Sequence, residues 1–133
     1  MIDIENQVFT EIYNVVTASY PNAKIESILN LTPSEFPCVC VEEISNTTLE
    51  STIDSTSNEN HATVTYEVNI FTNKTVGKKS DAKDILNLID TLMIGFGFIR
   101  ISKEPVALSE GTKYRIIIRY RAVVSKNQTL YRR

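Results

Sequence analysis

From Lys113 to Val124 the chain alternates without a break. Tyr114, Ile116, Ile118, Tyr120, Ala122 and Val124 fall on one side, and Lys113, Arg115, Ile117, Arg119, Arg121 and Val123 on the other. A period of two held this long specifies a strand with one dry face and one wet face. His61 to Thr72 shows the same pattern, with Ala62, Val64, Tyr66, Val68 and Ile70 on one face and His61, Thr63, Thr65, Glu67 and Asn69 on the other. Two half-buried strands of this kind belong to an antiparallel or mixed sheet whose apolar face needs a covering layer.

Two segments can supply that layer. Ile4, Val8, Ile12, Val15 and Val16 recur at spacings of three and four between Asp3 and about Ser19, an amphipathic helix stopped by Tyr20-Pro21-Asn22. The second helix would be N-capped by Ser80, with Asp81 and Asp84 in its first turn. It would bury Ala82, Ile85, Leu86, Ile89, Leu92, Met93 and Phe96, and Gly95 and Gly97 are its stop candidates. The expected fold is therefore α+β, with both helices on one face of the sheet and the other face polar.

The weaker elements are a short strand within Ala23 to Leu31, a Pro33/Pro37 loop, a strand from Cys38 to Ile44, a short strand from Phe98 to Ser102, and a loop from Lys103 to Thr112 containing Pro105. Residues 45–60 read SNTTLESTIDSTSNEN, with Leu49 and Ile53 the only apolar side chains. So little buriable surface cannot offset the ordering entropy, which leaves an extended hairpin arm or a loop, and residues 125–133 form an extended tail. At 133 residues one domain accounts for the whole chain. No apolar run reaches membrane-spanning length, and the acidic start Met1-Ile2-Asp3-Ile4-Glu5 is unlike a signal peptide, so the expected site of synthesis and assembly is the cytosol.

Charge is polarised along the chain. Residues 1–73 hold one base, Lys24, against eleven acids, and residues 74–133 hold thirteen bases against five acids. Either the two halves neutralise each other across the sheet, or opposite patches serve contact between copies or a charged partner.

The chemistry of catalysis finds little support. The segment 72–80, TNKTVGKKS, has Thr72 where a phosphate loop needs Gly and Lys79 where it needs Ser or Thr. Cys38 and Cys40 share a strand face at a spacing poor for an unstrained disulfide. A zinc site would need both, His61 and a carboxylate, so two reduced thiols is the better reading and no metal or cofactor is expected. His61 has no nucleophile-elbow pattern for company. The stripe Lys113, Arg115, Arg119 and Arg121 could contact phosphates, but the face lacks stacking aromatics, and Glu42 or Glu67 on neighbouring strands could neutralise it.

The run from Tyr66 to Lys74, the Gly77-Lys78-Lys79-Ser80 entry into a helix, the strand Tyr114 to Arg121 and the ending Tyr131-Arg132-Arg133 together resemble small tail-completion proteins of tailed phages. More narrowly, the chain resembles tail terminators of prophages and phage-tail-like particles of low-GC Gram-positive bacteria. The resemblance implies a virion assembly protein without catalysis: a ring, usually of six copies, on the head-proximal end of the tail tube, where it stops polymerisation and presents a surface to the head. Its partners would be copies of itself, the tail-tube protein or sheath, and head–tail connector proteins. DNA would pass through the ring without sequence-specific recognition, and no membrane would be involved. A head–tail joining or neck protein shares this size and order of elements, and a small nucleic-acid-binding module is the alternative of another class.

On that resemblance three surfaces are expected at interfaces. The arm would use Leu49, Ile53 and Asp54. The basic stripe Lys113, Arg115, Arg119 and Arg121 would meet Glu42 or Glu67 of an adjacent copy. The tail residues Leu130, Tyr131, Arg132 and Arg133 would dock outside their own domain.

Overall fold

The computed structural model describes residues 1–49, 61–108, 111–125 and the backbone of 130–131. The order of elements is α1 (Glu5–Ser19), β1 (Lys24–Glu26), β2 (Cys38–Thr48), β3 (His61–Thr72), α2 (Lys78–Phe96), β4 (Ile99–Val106), β5 (Tyr114–Ser125) and β6 (Leu130–Tyr131). The strands form one mixed, open sheet in the order β1-β2-β3-β5-β4, with β6 also paired to β5. Among the described residues only the β1–β2 pairing is parallel; the others are antiparallel.

Register follows from the alternation. β3 and β5 pair along their whole lengths, from His61 opposite Ser125 to Thr72 opposite Tyr114. This sets Ala62, Val64, Tyr66, Val68 and Ile70 beside Val124, Ala122, Tyr120, Ile118 and Ile116, all buried. Val8, Ile12 and Val16 of α1 and Ala82, Ile85, Leu86, Ile89 and Met93 of α2 complete the same core, so both helices lie on one face. Slipping β5 by one residue would put its arginines into this layer, and that penalty fixes the register.

The core also holds two tyrosines whose hydroxyls need partners. Tyr66 donates to Glu43 Oε1 at 3.2 Å and Tyr120 to Asp90 Oδ1 at 2.9 Å. Burial, reinforced by the carboxylate each hydroxyl faces, pushes both phenols well above their ordinary pKa. Asp90 is held from the other side by Arg100 at 2.9 Å. Glu43 is itself raised, chiefly by desolvation.

Several boundaries differ from the sequence expectation. α2 begins at Lys78, because Gly77 adopts a left-handed conformation (φ 92°) and its carbonyl accepts the Asp81 N–H; Ser80 is therefore inside the first turn and makes no cap. At the other end Gly97 (φ 105°) lets its own N–H reach Ile94 O and the Phe98 N–H reach Met93 O, the paired closure that a left-handed residue allows. β4 runs on through Pro105 to Val106, which is possible because β4 is an edge strand and a missing N–H costs no ladder bond there. β1 shrinks to three residues.

β2 continues past Ile44 to Thr48, with a bulge at Ile44, so residues 45–48 of the polar segment are ladder strand paired to β3. The Leu49 N–H donates to His61 O at 2.9 Å, extending the hairpin geometry by one more pair. Residues 50–60 lie outside the described residues.

The open face of the sheet is not uniformly polar. Cys38, Cys40 and Phe71 form a second, small core there, covered by Leu29 and Phe36 from the loop between β1 and β2. The parallel pairing puts Lys24 and Glu26 on this same face, beside Cys38 and Cys40.

Candidate interface on the open sheet face

The side chains expected to act at interfaces are carried mainly by the outward positions of β2, β3 and β5. Because the β3–β5 register is unbroken and the β2–β3 register holds from Cys38 to Glu43, they fall into rows across the sheet. One row runs Glu42, Glu67, Arg119, Ser102, and the next toward the β1 loop runs Cys40, Asn69, Ile117, Glu104. Beyond that lie Cys38, Phe71, Arg115 and Val106.

Within these rows the basic stripe is partly satisfied by its own chain. Arg119 Nε donates to Glu67 Oε2 at 3.0 Å, and Glu67 in turn accepts from Asn69 Nδ2 at 3.1 Å. Arg115 clasps Asn69 Oδ1 through Nε at 2.9 Å and Nη2 at 2.7 Å, with its guanidinium 5.3 Å from the centroid of Phe71. Lys113 Nζ lies 5.7 Å from the Phe36 ring centroid. These contacts join Arg115, Arg119, Glu67 and Asn69 into one network across the β3–β5 seam, within the chain itself. Arg121 and Glu42 have no ion-pair partner among the described residues.

The sheet order keeps the charge polarity of the sequence. β1, β2 and β3 come from the acidic half of the chain and lie at one side; β5 and β4 come from the basic half and lie at the other. Glu26 and Glu42 therefore sit toward the β1 edge, whereas Arg121 and Lys103 sit toward the β4 edge. Neutralisation occurs at the seam, through Arg119 and Glu67, and leaves the two sides with opposite sign.

Of the other expected contact residues, Leu49 sits half-buried at the end of β2, next to His61. Ile53 and Asp54 lie outside the described residues, as do Arg132 and Arg133. Leu130 and Tyr131 form β6, whose backbone pairs with Val124 and Val123 of the chain's own β5. β4 pairs with β5 only as far as Arg121, so the last β5 residues offer open ladder positions, and Leu130 and Tyr131 pair there.

A second constellation was not anticipated. The sequence reading offered His61 as the imidazole for any metal set, but His61 pairs with the far end of β5, ten residues along β3 from the Phe71 that faces Cys38, about 33 Å away. The carboxylate that does reach the cysteines is Glu26. Its signal was present in the sequence as Lys24-Ile25-Glu26 matching the outward-inward-outward order of Cys38-Val39-Cys40, but the parallel pairing that aligns them is too short to announce itself. The hydrogen bond between the two sulfurs holds the Cys38 thiol up, with burial adding to it, and draws Cys40 down. The backbone N–H of Asn30 and the charge of Arg115 lower Cys40 further.

Comparison with known proteins finds no matching family model and no matching curated protein. Among solved structures, the chain is similar to a chain from the virion of a native gene transfer agent particle. The TM-score is 0.60 at 12% sequence identity, over 91% of each chain. At that identity the likeness is one of fold.

Proposed function

We propose that this chain is a structural assembly protein of a phage-like particle. Its role would be that of a tail terminator, closing a homo-oligomeric ring on the head-proximal end of the tail tube and offering the head its joining surface. The observation that carries the reading is the fold shared, nearly end to end, with a chain of a gene transfer agent virion. The segregation of charge adds a physical reason for a ring. A head-to-tail contact needs two different, complementary patches on one subunit, and an acidic β1 side with a basic β4 side provides them. Successive copies turned by a fixed angle would then close into a cycle, with Glu42 of one copy toward Arg121 of the next.

The arm around Leu49, Ile53 and Asp54 and the terminal Arg132 and Arg133 would contact the neighbouring copy or the tube rim. A nucleic-acid role fits less well, because Arg119 is ion-paired to Glu67 and Arg115 is clasped to Asn69 within the chain. A backbone-phosphate stripe needs their donors outward.

Native mass spectrometry of the purified protein, alone and with tail-tube subunits, tests the reading. A closed oligomer, formed alone or on addition of tube, is the expected result. A monomer that ignores tube and binds duplex DNA at physiological salt would overturn it in favour of the nucleic-acid module.

A further inference from the structure

Glu26, Cys38 and Cys40 converge on one point of the open face. The two sulfurs are 4.0 Å apart, and Glu26 Oε2 is 3.7 Å from Cys38 Sγ and 4.0 Å from Cys40 Sγ. Both cysteines are buried and unbridged, and the three ligand atoms all lie within 4.8 Å of one another. In a tetrahedral zinc site, metal–sulfur bonds of about 2.3 Å and metal–oxygen bonds of about 2.0–2.2 Å put neighbouring donors roughly 3.5–3.8 Å apart. The observed triangle is therefore within a few tenths of an ångström of three corners of such a tetrahedron.

We propose that Glu26, Cys38 and Cys40 bind one zinc ion per chain, with the fourth position open to water from the adjoining cavity. That cavity, about 240 Å³, is bordered by Glu26 and Cys38 together with Lys24, Asn30, Pro33, Ser34 and Glu35, and gives the ion its path of entry. Three features beyond the triangle support a metal over a simple thiol-to-carboxylate contact. Thiolates in pairs select soft or borderline cations, and zinc accepts a carboxylate beside them. Arg115, in the same cross-strand row as Cys38 and Phe71, is a cationic neighbour of the kind that favours a thiolate ligand. Finally, a divalent ion offsets most of the negative charge that two thiolates and a carboxylate bring to one point when they ligate it. On binding, each thiol still protonated releases its proton to solvent, and the site carries a net charge of −1, next to Arg115 and Lys24.

The ion would tie three separate pieces together. β1 contributes Glu26, β2 contributes both cysteines, and the loop bearing Asn30 closes over them. That loop exposes Ile28 and Leu31, at 69% and 63%, so zinc would hold in place a segment carrying two exposed apolar side chains. The inference stands independently of the ring.

The full-length protein, reduced and stripped with chelator, is titrated with Co²⁺ as a spectroscopic substitute for zinc. The expected result is a thiolate charge-transfer band with intense visible absorption of tetrahedral cobalt, saturating at one ion per chain and bleached by Zn²⁺. Cys38→Ala and Cys40→Ala should each abolish the band. Glu26→Gln, a half-buried position at a sheet edge that leaves both core clusters intact, should weaken cobalt binding at least about 10-fold. Far-UV circular dichroism confirms that each variant is folded. Absence of the band in the reduced wild-type protein, a band that survives either cysteine replacement, or unchanged affinity in Glu26→Gln would each overturn the assignment.

Discussion

Replacing Tyr120 by Phe removes a single oxygen from the centre of the sheet. The ring stays, so the apolar core keeps its volume, and what disappears is the 2.9 Å hydrogen bond to Asp90 Oδ1. Hydrogen bonds to charged groups contribute about 1.5–3 kcal/mol. Asp90 is 24% exposed and keeps Arg100 at 2.9 Å, so its freed oxygen has water within reach and the loss should fall at the low end, about 1.5 kcal/mol. For a chain of this length that lowers the melting temperature by about 5 °C. Urea unfolding at neutral pH should show the midpoint falling at unchanged slope. A double-mutant cycle with Asp90→Ala isolates the pair. A Tyr120→Phe variant within about 0.3 kcal/mol of wild type, or an additive cycle, would mean that the hydroxyl is not anchoring α2 to β5.

Other perturbations separate the remaining claims. Ser80→Ala should leave stability unchanged within about 0.5 kcal/mol, because Gly77 begins the helix; a loss near 1 kcal/mol in chemical unfolding would restore Ser80 as the cap. Glu43→Gln should stabilise the protein at neutral pH. Desolvation raises the Glu43 pKa, so its ionised form costs stability above that pKa, and the advantage of Gln should vanish as the pH falls below the ordinary carboxylate range. Melting curves that show the gain growing toward low pH would contradict this. Arg121→Glu should weaken association between copies while leaving the melting temperature within about 2 °C, and Arg121→Glu combined with Glu42→Arg should restore it. Sedimentation that is insensitive to both would remove this pair from the contact.

The layout of the core could be read directly from the sequence, because β3 and β5 carry an uninterrupted period of two and both helices a period near 3.6. Those patterns are imposed by burial on one face, which leaves a mark at every second or third residue. Features set by pairing partners left no such mark. β1 is three residues long, and its parallel match to β2 brings Glu26 to the cysteines without any local signal. Pro105 looked like a strand breaker until its place on an edge was known. Ser80 is a good capping residue in general, yet Gly77 with a positive φ starts the helix three residues earlier. The charge polarity was visible as a count, but whether it neutralised or persisted depended on strand order. β3 and β5 meeting at the seam, with Asn69 and Glu67 facing Arg115 and Arg119, settled both at once.

The proposed role of this protein, finishing a polymer, is tested directly by electron microscopy of particles assembled with and without it. Particles containing the protein should show tubes of uniform length with a distinct ring at the head-proximal end, and particles lacking it should show tubes of uncontrolled length without heads. Tubes of uniform, properly ended length in its absence would contradict the proposal.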